Sequence, residues 1–358
     1  MAADAEPEEG RPDPTPMVCA VGDCVFKAAA GVSDPARASP ARGADASRPL
    51  LESKTVSKVR HGDGSKSING FRVCEELGMG SFAKVKLCEE ESSAEKFALK
   101  VFRKGRLRRQ REFINGGEGG RMKIRTSLDK VYGEIAIMKR ILHPNCVRLY
   151  AIFEEEEADG KLYLVLEYAA RGATMEWDPD RCTYYSPLTK GLIQEEVAKS
   201  YMWDTLQGLG YLHSLLIAHR DIKPQNLLVD AEGSLKIGDF GVASDMGPDF
   251  GILGTEGTYY FYSPEMCRTA YDGHDGRGAD VWAAGVSLWA FLFGTMPFFH
   301  QDLSKLLESI GQARWTMPDK PDQSAACRAL LGRLMAGDPA ARPLAPEALQ
   351  DPWLQAMA

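Results

Sequence analysis

His219-Arg220-Asp221-Ile222-Lys223-Pro224-Gln225-Asn226, followed after a short hairpin by Asp239-Phe240-Gly241, is the stretch on which the reading of this chain turns. Its residue types point to phosphoryl transfer. That reaction spreads charge over the equatorial oxygens of the moving group, so it needs placement and cationic neutralisation more than covalent chemistry. Asp221 is a carboxylate suited to accept the hydrogen bond of an attacking hydroxyl, and Lys223, two residues on, is a cation within reach of a γ-phosphate. Asn226 and Asp239 offer hard oxygen ligands, which Mg2+ prefers while it keeps part of its water shell. Either run alone recurs by accident; the two in this order and at this separation carry the reading.

Upstream, Gly78-Met79-Gly80-Ser81-Phe82-Ala83-Lys84-Val85 lies between two runs that alternate as strands, residues 71–77 and 84–88. It reads as a phosphate loop, because glycine has no Cβ to block close approach of the backbone to phosphate oxygens. Ala83 stands where G-x-G-x-x-G has its third glycine. In the next strand, residues 96–101, the period of two puts Ala98 and Lys100 on one face and Phe97, Leu99 and Val101 on the other. Residues 128–142 carry Val131, Ile135, Met138 and Leu142 at helical spacing, with Glu134 on the same apolar face. A carboxylate among apolar neighbours is costly unless paired. Residues 161–168 read as a strand.

On these motifs residues 71–354 resemble the eukaryotic protein kinase family. The resemblance implies an α+β, bilobal protein-kinase fold, with an N-lobe of a five-stranded antiparallel sheet plus one helix and a mostly helical C-lobe. Residues 71–168 would be the N-lobe, 169–354 the C-lobe, and 103–127 a basic insert. It implies ATP and Mg2+ as cofactors. Asp221, Lys223 and Asn226 would be catalytic, and Asn226 with Asp239 would hold the metal. Leu77, Gly78, Gly80, Val85, Ala98, Lys100, Glu134, Leu166, Glu167, Ala169, Leu228 and Asp239 would bind the nucleotide. Within that set Glu134 would pair with Lys100, and backbone groups of Glu167 and Ala169 at the inter-lobe hinge would hydrogen-bond the base. By the same likeness Ser263-Pro264-Glu265 ends the activation segment, Asp280 braces the catalytic loop, Arg342 pairs with Glu265, and Met138, Leu149, His219 and Phe240 stack as a spine. Lys223 and the Gly257-Thr258 step resemble serine/threonine kinases, with Thr258 near Asp221.

A narrower likeness lies in the insert, in Gly172-Ala173-Thr174-Met175-Glu176-Trp177 and in Ser263-Pro264-Glu265-Met266-Cys267. These resemble the calcium/calmodulin-dependent protein kinase kinase group, upstream activators of AMP-activated-type kinases. The implied substrate is a protein, namely the activation-loop threonine of another kinase. The alternative class is a pseudokinase-type scaffold that binds a partner kinase without catalysis, although Lys100, Asp221, Asn226 and Asp239 are all present. The sequence stops at Ala358, so calmodulin control through a C-terminal segment is not expected. Arg220 could grip a phosphate on the activation segment, with Thr255 the candidate acceptor and Asp245, Asp249 and Glu256 alternative sources of standing charge.

Composition fits an enzyme domain plus a tail: 44% hydrophobic and 26% charged residues over 358 positions. A net charge of −7 and a pI near 5.5 argue against a nucleic-acid binder. The eight cysteines show no metal-type pairs, and with no leader at the start the expected setting is reduced and cytoplasmic. Nuclear entry through the basic run 103–111 is the other compartment considered. Residues 281–299 are apolar, but Gly294 and Pro297 interrupt them, so a buried helix is expected and no membrane partner. Residues 1–70 are expected to be a disordered tail, since their composition cannot bury enough surface to offset chain entropy. Residues 154–157 read as an exposed acidic turn.

Overall fold

In the computed structural model, residues 48–80, 82–114, 123–252, 255–268 and 273–355 are described. The first lobe is built on one curled sheet. Its strands are β1 (Leu51–Ser53), β2 (Lys58–Arg60), β3 (Lys66–Ile68), β4 (Phe71–Met79), β5 (Ala83–Glu90) and β6 (Lys96–Arg103), joined later in the chain by β9 (Leu149–Glu154) and β10 (Lys161–Glu167). Between them lie α1 (Lys104–Arg109), the hairpin β7 (Arg111–Ile114) and β8 (Lys123–Thr126), and α2 (Ser127–Met138). The order β1-β9-β10-β6-β5-β4-β3-β2 contains the five expected antiparallel strands and adds three.

Those three correct two expectations. The sheet has eight strands with one parallel pair, β1 on β9, and the tail is ordered from residue 48 onward; residues 1–47 lie outside the described ones. Side chains of β1 and β2 are mostly exposed, so no apolar alternation signals them. Backbone pairing to existing edges organises them instead, and Arg48 pins the segment. Its guanidinium donates to Glu90 (2.5 Å) and Glu95 (3.1 Å) and lies over the Phe97 ring at 5.0 Å.

The basic insert is also partly built in. Lys104 and Leu107 of α1 are buried, and the Lys104 ammonium donates to Glu154 (3.0 Å) and to the Glu155 carbonyl. The run 103–111 is therefore not wholly a solvated patch, and 154–157 is not wholly an exposed turn. A Lys58 ion pair and a hydrogen bond from the Tyr163 hydroxyl hold Glu155 as well. Residues 115–122 of the insert, and Ser81 of the glycine run, lie outside the described residues.

Helix α2 starts in a reciprocal cap, with the Asp129 N–H donating to the Thr126 hydroxyl and the Thr126 N–H to the Asp129 carboxylate. It ends at Met138, so Leu142 falls outside the apolar stripe and is exposed, against expectation.

The second lobe opens with the short strands β11 (Gly172–Ala173), which pairs with Leu228 and Val229 of a later hairpin, β12 (Glu176–Asp178) and β13 (Thr183–Tyr185). Helix α3 (Glu195–Ser214) leads into β14 (Ile217–Ala218) and the hairpin of β15 (Leu227–Val229) and β16 (Leu235–Ile237). Two more helices come next, α4 (Pro264–Arg268) and α5 (Gly276–Phe293). Asp275 caps α5 by accepting from the Arg277 N–H, and Gly294 ends it at φ +66°, a conformation glycine adopts without a Cβ clash. Among the described residues no helix is long and apolar enough to cross a membrane.

Candidate active site

Register brings the upper half of the site together. Leu166 faces Ala98 and Leu164 faces Lys100 across β10 and β6, while Val85 faces Lys100 across β5 and β6, so these side chains share a face. Glu134 arrives from α2, and the Lys100 ammonium donates to its Oε1 at 2.7 Å and to Asp239 Oδ1 at 3.3 Å. All three side chains are at most 8% exposed. Burial pushes the Glu134 carboxyl above its ordinary range; Lys100 opposes that push and Asp239 adds to it.

The lower half hangs on Asp280 of α5. Its Oδ2 accepts from the His219 N–H (2.9 Å) and bonds His213 Nε2 (3.0 Å), and its Oδ1 accepts from the Arg220 N–H (2.8 Å). Burial alone would raise this carboxyl, but the His213 hydrogen bond and charge, with the backbone donor of Arg220, outweigh it and hold the group below its usual range. The loop so anchored presents Asp221. Its Oδ1 accepts from the Thr258 hydroxyl (2.8 Å) and N–H (3.0 Å), and its Oδ2 accepts from the Asn226 amide (2.9 Å) and lies 3.0 Å from Lys223 Nζ. The Lys223 ammonium also donates to Thr258 Oγ1 at 2.8 Å. Gly257 makes this approach feasible: at φ +109° an added Cβ would lie 2.3 Å from the Arg220 carbonyl oxygen. Arg220 and Asp239 themselves sit at φ +69° and +56°, left-handed conformations that surrounding contacts must hold.

The hairpin of β15 and β16 then returns Asp239 beneath the first lobe, with the Gly238 N–H donating to the Asn226 carbonyl at 2.8 Å. His219 and Phe240 stack edge-on at 5.2 Å, and they are buried, as are Met138 and Leu149. Arg342 grips Glu265 through both oxygens (2.6 and 2.5 Å).

A cavity between these halves is lined by Lys100, Glu134, Met138, Val147, Leu166, Glu167, Leu228, Gly238 and Asp239. Val147 and Gly238 are absent from the sequence reading. Gly238 could have been found as the neighbour of Asp239; Val147 reaches the cavity through its N–H bond to the Ile237 carbonyl, which no local pattern announces. Leu77, Val85 and Ala98 are buried in the adjoining core but do not line this cavity, nor do Gly78, Gly80 and Ala169. Gly80 closes a turn by donating to the Ala83 carbonyl at 2.9 Å. The Glu167 N–H goes to the Arg148 carbonyl, which restricts this residue's expected contact with a base to its carbonyl. Its carboxylate pairs with Lys236 at 2.7 Å.

The donor set fits a magnesium nucleotide. Asp239 is an oxygen donor lining the cavity, and Lys100 supplies a buried cation beside it. Asn226 is a second oxygen-bearing side chain tied to this loop through the Gly238 N–H bond to its carbonyl, and the apolar Leu166, Val147 and Leu228 wall suits a flat base. The Arg220 guanidinium donates to Glu256 (3.3 Å), whose other oxygen lies 3.7 Å from Lys130 of α2. Thr255 contributes its carbonyl to the Tyr262 hydroxyl instead.

The family model described as "Protein kinase domain" matches residues 71–354. The chain is 35% identical over 317 residues to a calcium/calmodulin-dependent protein kinase kinase of Caenorhabditis elegans, covering 86% of this chain and 56% of that protein. To the serine/threonine-protein kinase ssp1 of Schizosaccharomyces pombe it is 36% identical over 315 residues, 84% of this chain and 46% of the other. CBL-interacting protein kinase 16 of Oryza sativa subsp. japonica is 34% identical over 282 residues, 78% and 55%. The chain thus spans about half the length of these relatives.

Proposed function

Because this chain belongs to the protein kinase family, we propose that it transfers the γ-phosphoryl group of Mg-ATP to a serine or threonine hydroxyl of a protein. The observation that carries the reading is the convergence on Asp221. One carboxylate is held by Asn226, Lys223 and Thr258, and the same loop leads through the Asn226 carbonyl and Gly238 to Asp239, which lines a cavity with the Lys100 and Glu134 pair.

ATP bound with Mg2+ supplies the transferable group; the chain supplies placement and charge. Asp221 accepts the hydrogen bond of the acceptor hydroxyl and takes its proton late. Lys223, 3.0 Å from Asp221, would steady the charge that develops on the transferred group. Lys100, fixed by Glu134, would hold the α- and β-phosphates, and Asn226 with Asp239 would provide the oxygens for the metal.

The likeness to the kinase kinase group supports a finer reading, in which the acceptor is the activation-segment threonine of another kinase; the scattered cysteines support a reduced, cytoplasmic setting. Incorporation of phosphate from Mg-ATP into a generic protein substrate, followed by mapping of the modified residue, tests the reaction. Phosphoserine or phosphothreonine with the wild type and loss of at least about 10²-fold with Asp221→Ala is the expected outcome. Equal incorporation by both proteins removes Asp221 from the reaction.

A further inference from the structure

An aromatic surface adjoins the Asp221 site and has no part in the chemistry above. Trp177 and Tyr184 face each other across β12 and β13, with ring centres 5.0 Å apart and edge-on. Such a cross-strand pair gives a short hairpin its rigidity. The Trp177 ring meets Phe299 at 6.1 Å, and Phe299 stacks on Tyr260 at 5.8 Å with planes 20° apart. Phe299 remains 45% exposed.

Both ends of this surface are tied to the reacting groups. Gln225 of the catalytic loop donates to the Tyr184 hydroxyl at 3.2 Å, and Tyr260 lies two residues after Thr258, whose hydroxyl donates to Asp221. The acids on the hairpin strands face local partners, Glu176 accepting from the Tyr185 hydroxyl at 2.8 Å and Asp178 from the Asp180 and Arg181 N–H groups, while Asp180 stands exposed in the turn. What this surface offers a chain entering the cleft is therefore ring faces. Tyr184 is buried and Trp177 and Tyr260 are half-buried, so Phe299 is the ring this surface exposes. An exposed aromatic ring held by such neighbours beside a recognition site is a place where an apolar side chain gains by leaving water.

We infer that Phe299, with Trp177 and Tyr260, selects substrates that carry a large apolar side chain a few residues from the phosphoacceptor. The inference rests on the kinase reading and names a specificity determinant within it. Its occupant is a side chain of the extended substrate segment.

The test uses the full chain and peptides with a single threonine, in which each flanking position in turn is Ala, Leu or Lys, with a generic protein substrate alongside. One position is expected to favour Leu over Ala by about ten-fold in kcat/KM. That ratio should fall towards one in Phe299→Ala and largely survive in Phe299→Leu, with melting curves confirming that both fold. If Phe299→Ala does not fold, the wild-type scan together with Tyr260→Ala decides. A preference for Lys at every responsive position, a flat scan, or a Leu/Ala ratio unchanged by the variants overturns the inference, and the kinase reading stands if the generic protein is still labelled. Absence of label in every substrate removes both.

Discussion

Asp280 and Glu134 are both carboxylates with almost no exposure, yet their surroundings move them in opposite directions. Asp280 has two backbone N–H donors and an imidazole from its own lobe, and these outweigh its burial. Glu134 has one ammonium, contributed by β6, and a second carboxylate, Asp239, shares that cation from the other lobe. Backbone donors cannot leave without unfolding the loop, whereas a side-chain cation shared between lobes can change partners. The lower network is a permanent brace for the catalytic loop. The upper one is conditional, and its geometry here, with the Lys100 to Glu134 pair closed, is the arrangement phosphoryl transfer requires.

If the brace is permanent, breaking it should cost the most stability. Asp280→Ala leaves the His219 and Arg220 N–H groups buried without their acceptor, which should lower unfolding free energy by about 3 kcal/mol, read by denaturant titration. The depressed carboxyl also fixes a sign with pH. Its contribution is complete above the unfolded pKa of about 3.9 and is lost as pH falls through the lower folded value, so Asp280→Asn should lose less stability than the wild type on acidification below about pH 4. The raised carboxyl of Glu134 has the opposite sign, contributing most below about pH 4.3 and less as pH rises through its folded value. Parallel acid limbs for the wild type and Asp280→Asn would erase the contrast.

A smaller effect sharpens the same contrast at the activation segment. Glu256 ties Arg220 of the lower network to Lys130 of α2, in the place where a phosphate could bind. Glu256→Gln should slow turnover by about three- to ten-fold, since one of its partners is nearly buried and the glutamate is partly exposed. Phosphatase treatment of the wild type should change its rate little. A rate abolished by phosphatase and indifferent to Glu256→Gln would give the role to a phosphorylated residue such as Thr255.

How much of this was legible in the sequence varied with the kind of information each residue carries. Asp221, Asn226 and Asp239 were readable because their chemistry and spacing are local, and Glu134 because a carboxylate on an apolar helical stripe demands a partner. Val147 was hidden, since its place in the cavity depends on a backbone bond to Ile237 far along the chain. Strands β1 to β3 were hidden because mostly exposed polar residues hold them to sheet edges through backbone pairing, leaving no periodicity to detect. Lys104 looked like one more charge in a basic run; only the fold shows that Glu154 and the Glu155 carbonyl receive it. Leu142 continues the helical spacing in the sequence but lies beyond Met138, where α2 ends, because spacing alone does not mark where a helix stops.

The measurement closest to the centre of this account pairs a melting curve with a single-turnover phosphorylation rate for Lys100→Met. A conditional pair in the upper network can be removed without collapse, so the variant should stay folded, while its rate drops by about 10²-fold or more for want of the cation that holds the phosphates. A folded Lys100→Met protein that turns over as fast as the wild type would contradict the assignment of this cavity as the nucleotide site.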